Sequence, residues 1–155
     1  MPQTHEKEKE HCLEDFSIGQ KICTNPITMS KENIIAFANL YDPQDFHLDD
    51  ERAKHTSVGT LIASGWHTAC TAMRLLVTNF PKIKGGMLGR SVEKMEWPIA
   101  VYPGDTVKLT IEVIDLRPSN SKPDRGVMRT RNILRNQNDE VVLSMETVII
   151  LPRRV

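Results

Sequence analysis

Several features that define whole classes of protein are absent from this 155-residue chain. The longest apolar run has only five residues, 34–38, whereas a membrane-spanning helix needs about 20. Basic and acidic residues each total 20, so the formal net charge is zero, and such a chain is a poor candidate for non-specific nucleic-acid binding. The first ten residues are charged and lack the apolar segment of a secretory signal. We therefore expect no membrane span, no nucleic-acid partner and no secretion.

Cysteine is also scarce. Cys12, Cys23 and Cys70 are the only three, and none is spaced as CxxC, which argues against a disulfide framework or a zinc cluster. An HExxH motif is absent as well. Free thiols fit a reducing compartment. The expectation is a cytoplasmic protein that needs no metal.

The length suits one domain. The charge-alternating start of the chain has no hydrophobic period, which is typical of a solvated arm. We predict a flexible charged tail over residues 1–13 and a single domain over 14–155.

Two helices are predicted before the strands. Ser30 can cap the first, which should end near Tyr41 because Pro43 disfavours helical geometry at Asp42. The residues that follow, 42–47, are then expected to form a loop.

The second predicted helix is the longest, over 60–79, with apolar residues at three- to four-residue spacing. Between Leu61 and Asn79 it carries one arginine, one histidine and no carboxylate. A helix so poor in charge is expected to be mostly enclosed.

The rest of the chain predicts four strands, over residues 91–97, 106–116, 127–135 and 140–151. The alternation of apolar and polar residues is clearest in 106–116. Residues 136–139 predict a hairpin turn between the last two, residues 117–125 a longer loop, and the Pro-Gly pair within 102–105 a tight turn. Helices followed by a run of strands predict an α+β fold, an antiparallel sheet with a helix on one face.

The first candidate for chemistry is the pair Asp42 and His47. On one helix their spacing would point them about 140° apart, but in a loop bent by Pro43 they can converge. A carboxylate and an imidazole can hold one water and divide proton transfer between them. The alternative is purely structural: aspartate in turn hydrogen bonds and histidine packed beside Phe46.

The second candidate is the segment 63–66 at the start of the long helix. Exposed amides at a helix N-terminus stabilise negative charge on an oxygen, and Gly65 lets a ligand approach the backbone. The alternative is a small-residue start that permits close packing. Ser64 is not a nucleophile elbow, since GxSxG is absent.

Together these segments resemble the MaoC-like family of hot-dog dehydratases, which includes the (R)-specific enoyl-CoA hydratases. The resemblance spans roughly 14–152 and is strongest at 42–49, 64–65 and 102–106. It implies a curved antiparallel sheet wrapped around the long helix, with two such units pairing into a homodimer or higher oligomer.

The resemblance also implies roles for four residues. Asp42 and His47 correspond to the catalytic pair, Gly65 to the amide that binds the thioester, and Ser64 lies beside it in the pocket. The implied reaction adds water to a trans-2-enoyl thioester of coenzyme A or of an acyl carrier, giving a 3-hydroxyacyl thioester, or removes it. His47 would take the proton from water, and Asp42 would relay a proton to C2. Coenzyme A would enter only as part of the substrate, and no other cofactor is expected.

The chain departs from the usual family loop, Asp-x-Asn-Pro-x-His. Gln44 replaces the asparagine and Asp45 stands where proline is usual. An extra carboxylate can raise the pKa of a neighbouring acid by like-charge repulsion, and Trp66 is expected to narrow the acyl tunnel.

Two other functions stay open. A hot-dog acyl-CoA thioesterase often carries an acid on the long helix, and none is present between residues 61 and 79. A non-catalytic acyl-binding or assembly subunit would lack the Asp–His pair, which this chain has.

Basic residues over 122–135 are either a solvated strand face or a contact for the coenzyme A phosphates.

Overall fold

The computed structural model describes residues 8–154. After a 3-10 turn at Leu13–Asp15 come β1 Lys21–Cys23, β2 Ile27–Thr28, α1 Lys31–Tyr41, α2 Asp45–Leu48, α3 Asp50–Ala53, α4 Gly65–Asn79, β3 Leu88–Glu96, β4 Thr106–Pro118, β5 Arg125–Arg135 and β6 Val141–Pro152. Within residues 8–154, every helix is too short or too polar to cross a membrane.

The strands form one antiparallel sheet in the order β1-β4-β5-β6-β3, with β2 paired to the start of β4. Register shifts interrupt β3, β4 and the β5–β6 pairing, and such bulges bend strands. Helix α4 packs on the inner face, where its buried residues join those of β4, β5 and β6 in the core. This curved sheet around one long helix confirms the predicted α+β hot-dog architecture.

All four predicted strands are present, and β4 and β5 are longer than expected. They extend to Pro118 and from Arg125 and pair with each other, which reduces the predicted loop to 119–124. The predicted β5–β6 hairpin turn is confirmed, with Asp139 in the left-handed region at φ 64°.

The tight turn before β4 is also confirmed. Gly104 adopts φ 89°, and the Asp105 N–H donates to the Tyr102 carbonyl at 3.0 Å. The buried Asp105 carboxylate accepts from the Tyr102 N–H and from the Gln137 side chain, both at 2.9 Å. This aspartate therefore ties the turn to the β5–β6 hairpin.

The start of α4 was predicted too early. Helical geometry begins at Gly65, because the preceding residues pair with distant backbone: Ile62 N–H donates to Phe46 O at 2.9 Å and Ala63 N–H to Val101 O at 2.8 Å. The helix is also less enclosed than expected. One stripe is exposed, formed by Trp66, Cys70, Met73 and Val77.

The prediction of a flexible tail over residues 1–13 is wrong for residues 11–13. Residues 1–7 lie outside the described residues. His11 forms a bridge with Ile83, and Cys12 and Leu13 are 5% and 6% exposed. The fold therefore begins before residue 14, because these side chains contribute to its core.

Candidate active site

The Asp42–His47 segment is built from the end of one helix and the start of another. Helix α1 ends as predicted at Tyr41, with Asp42 at φ −149°. The prediction of a loop through His47 was wrong, since Asp45–Leu48 forms one helical turn. Gln44 is extended before that turn, and a carboxylate at Asp45 is favourable in a first turn. The short helix turns His47 back toward Asp42.

His47 is buried, with 4% of its surface exposed. Its Nδ1 lies 2.8 Å from the Ile62 carbonyl oxygen. Because a carbonyl only accepts, Nδ1 carries a proton, and in the neutral form of the ring the lone pair is therefore on Nε2. That Nε2 lies 3.3 Å from Oδ2 of Asp42. The fold therefore aims the basic nitrogen at the carboxylate.

Asp42 is held by donors on both oxygens. The Ser64 hydroxyl donates to Oδ2 at 2.6 Å, and Gln44 Nε2 donates to Oδ1 at 2.7 Å. Burial alone would raise the pKa of Asp42, but the hydrogen bonds from Ser64 and Gln44, together with the positive charge that His47 carries when it is protonated, outweigh it and hold the pKa below its ordinary value. Asp42 is therefore a carboxylate at neutral pH.

Ser64 and Gly65 open helix α4. Ser64 is fully buried, and its Oγ caps the helix by accepting from the Trp66 N–H at 3.3 Å. Its single hydroxyl proton is directed to Asp42. Among the hydrogen bonds of residues 8–154, none uses the Gly65 N–H. That amide lies at the positive end of α4 and is available to an acceptor.

Trp97 covers Gly65, a contact that the sequence did not predict. Its Nε1 donates to the Gly65 carbonyl at 2.9 Å, and a Cβ on Gly65 would lie 2.9 Å from the indole ring. Trp66 is 59% exposed and meets Trp97 edge-on at 5.7 Å. A Cβ at residue 65 would therefore force the indole to move, so glycine permits the close approach of Trp97 as well as being suited to ligand approach.

The extra carboxylate of the loop does not act on Asp42 as expected. Asp45 is exposed and pairs with Arg52 at 3.2 Å. The pKa of Asp42 is lowered rather than raised. The expected like-charge repulsion is therefore not seen.

The basic residues of β5 are engaged on the outer face of the sheet. Arg129 pairs with Glu93 at 2.7 Å and with Glu146 at 3.2 Å, and Arg131 lies 3.6 Å from Glu112. These pairs favour the interpretation as a solvated strand face over a phosphate contact. Within the part of the chain that the structure describes, no three histidine, cysteine or acidic side chains cluster to hold a metal ion.

A groove of about 520 Å³ runs between the C-terminal half of α4 and the strands β3 and β6. Its lining is mostly apolar and includes the exposed side chains Met73, Val77 and Val92. Strand β3 lies at the edge of the sheet. An apolar groove thus continues to an unpaired strand edge.

Comparison with known proteins agrees with this architecture. A solved structure of a MaoC-like dehydratase from Rhodospirillum rubrum has a TM-score of 0.87 and 37% identity and covers 94% of this chain and 99% of its own. The (R)-hydratase of A. caviae involved in PHA biosynthesis has a TM-score of 0.73 and 25% identity and covers 88% of this chain and 98% of its own.

Sequence comparison points the same way. The uncharacterized protein YdeM of Bacillus subtilis (strain 168) is 28% identical over 141 residues, which are 91% of this chain and 99% of that protein. The family described as MaoC like domain matches residues 15–137, well over half of the chain. With the hot-dog architecture and the Asp42–His47 pair, this match shows that the chain belongs to the MaoC-like domain family.

Proposed function

We propose that this protein is a hydro-lyase that interconverts trans-2-enoyl thioesters and (R)-3-hydroxyacyl thioesters. The observation that carries the proposal is the Asp42–His47 pair beside the N-cap of α4, with Nε2 of His47 3.3 Å from Oδ2 of Asp42. The family, and the likeness to an (R)-hydratase, support the reaction type and its stereochemistry.

The pair is equipped to bind the reacting water. An ionised carboxylate offers about four acceptor positions, of which Ser64 and Gln44 use two. The others remain for a water and, once the ring of His47 has taken up a proton, for its Nε2–H. A water that donates one hydrogen to Asp42 and the other to Nε2 of His47 is thereby oriented for attack.

In the proposed reaction, His47 removes one proton from that water while its oxygen bonds to C3 of the enoyl group. The C2–C3 π electrons move toward the thioester, and the carbonyl oxygen gains negative charge. The protonated His47, stabilised by Asp42, then returns the proton to C2 on the same face. Its Nε2 therefore serves as base and then as acid, and dehydration follows the reverse path. Since Asp42 already accepts hydrogen bonds on both oxygens, we assign it no proton-donating step.

Gly65 supplies the other half of the site. Its free N–H at the positive end of α4 is suited to donate to the thioester carbonyl and to stabilise the enolate-like charge. Ser64 acts through Asp42 rather than on the substrate, since its only proton is committed to that carboxylate.

The proposed assembly is a homodimer. Met73 and Val77 of the exposed α4 stripe line the groove together with Val92 of the edge strand β3. Leu88 and Val92 of that strand are 62% and 49% exposed. An edge strand of this length invites pairing with a second chain, and antiparallel pairing of two β3 strands would bury both edges and cover the groove. This arrangement matches the pairing that the family resemblance implies.

A thioesterase and a non-catalytic subunit are the competing functions. Purified protein incubated with trans-2-enoyl-CoA substrates of several chain lengths, followed by loss of the enoyl absorbance, tests the hydratase. Saturated acyl-CoA with a thiol reagent tests hydrolysis, and the same enoyl groups on an acyl carrier protein test the carrier. Hydration without thiol release supports the proposal. Thiol release from saturated acyl-CoA, or neither reaction on either carrier, would contradict it.

A further inference from the structure

Gln44 touches both members of the Asp42–His47 pair, although the proposed reaction gives it no role. It occupies the N-cap position of α2, where a side chain commonly bonds its own helix, yet it makes no such bond. Its Nε2 instead turns back to Oδ1 of Asp42 at 2.7 Å. Its carbonyl accepts from the His47 N–H at 2.9 Å, and its N–H donates to the Asp42 carbonyl at 2.8 Å.

The two side-chain donors on Asp42 act on different oxygens. Ser64 holds Oδ2 at 2.6 Å, and with that contact alone the carboxylate could still swing about it. The second contact at Oδ1 fixes its orientation. Of the titratable groups on the elements around the site, His47 lies 3.3 Å from Asp42, Asp45 pairs with an arginine of α3, and His67 of α4 stacks on a phenylalanine of α1. Gln44 is thus the neutral donor that holds Oδ1, the carboxylate oxygen of Asp42 that Ser64 does not bind.

We propose that Gln44 is a positioning residue, whose amide fixes the orientation of the Asp42 carboxylate so that Asp42 serves as an acceptor beside His47. The consequence for turnover rests on the proposed function. The hydrogen bond from Gln44 to Asp42, and its effect on the titration of Asp42, do not depend on the proposed function.

The test compares Gln44→Glu with the charge-matched control Asn39→Asp. Gln44 is exposed, so water can partly replace its amide after truncation, whereas Gln44→Glu puts a second carboxylate in hydrogen-bond reach of Asp42. Asn39 is exposed on the last turns of α1, so its variant adds the same charge without taking the place of the Gln44 donor. The readout is the pH titration of the Asp42 carboxyl carbon by ¹³C NMR, assigned by its loss in Asp42→Asn.

We expect Gln44→Glu to raise the titration midpoint of Asp42 by about one pH unit or more, because two adjacent carboxylates cannot both ionise freely. We expect kcat to fall about tenfold with KM changed less than about threefold. Gln44→Met, neutral and similar in length, should shift the midpoint in the same direction by less, and it serves as the second variant should Gln44→Glu fail to fold. Gln44→Asn, which keeps the amide, should lie closest to wild type.

A midpoint in the Gln44 variants indistinguishable from that of Asn39→Asp would overturn the positioning role. A wild-type protein that does not hydrate enoyl thioesters, combined with a raised midpoint, would refute the proposed function and leave the role of Gln44 standing. A raised midpoint with unchanged kcat in an active enzyme would show that Asp42 does not need this orientation and would also overturn the proposal.

Discussion

Ser64→Ala removes one fully buried hydroxyl that serves two neighbours at once. The hydroxyl donates to Asp42 at 2.6 Å and accepts from the Trp66 N–H at 3.3 Å. A hydrogen bond to a charged group contributes about 1.5–3 kcal/mol, and loss of an N-cap costs about 0.5–2 kcal/mol. Because the capping bond is long, we expect the free energy of unfolding to fall by about 2–4 kcal/mol at neutral pH.

The loss should depend on pH with a defined sign. The pKa of Asp42 is lower in the folded protein than its ordinary value, so ionised Asp42 stabilises the fold above that ordinary value and loses this contribution as pH falls through the folded pKa. Ser64→Ala raises the folded pKa, so the difference between wild type and variant should shrink as Asp42 becomes protonated, below about pH 4.

Urea denaturation of both proteins at pH 7 and across the acid range measures this difference. Thr78→Val is the matched control, since it removes an exposed hydroxyl from the last turn of the same helix and should cost little. A Ser64→Ala protein as stable as the control, or a difference that does not change between pH 7 and the acid range, would refute the reasoning.

Two further perturbations test the surroundings of the site. Gly65→Ala would place a Cβ 2.9 Å from the Trp97 ring and should destabilise the fold by about 1–3 kcal/mol. Urea denaturation should show that the double variant Gly65→Ala/Trp97→Leu recovers part of that loss. A wild-type urea midpoint for the single variant would contradict the packing argument. Val92→Arg on the edge of β3 should convert the proposed dimer to monomer in light scattering. Ile18→Arg, at another exposed apolar residue, before β1, should leave the dimer intact, and identical masses for the two variants would count against this interface.

Local signals in the sequence were sufficient for the elements whose ends are set by their own residues. Ser30 caps α1 through the Asn33 N–H at 3.2 Å, and Pro43 follows its end at Tyr41. The alternation of β4 likewise predicted a strand whose inward residues are fully buried. In these cases residues close together in the sequence determine where the element begins and ends and which of its faces is buried.

The sequence was insufficient where distant backbone decides. Residues 60–64 resemble the first turn of a helix, but Ile62 pairs with Phe46 and Ala63 with Val101, so α4 starts later. The orientation of His47 depends on the Ile62 carbonyl, 15 residues away. The indole over Gly65 comes from a position 32 residues further along the chain. Motif spacing and the family resemblance predicted the candidate residues, but only the fold shows which of their atoms face each other.

The most direct test of the central claim is the turnover of His47→Ala and Asp42→Asn with a trans-2-enoyl thioester that the wild type hydrates. Removal of the basic Nε2, or of the carboxylate that faces it, should lower kcat by about 10²–10⁴-fold, in proteins whose circular dichroism shows that they are still folded. Hydration at near wild-type rates by both variants would contradict the assignment of this pair as the catalytic centre.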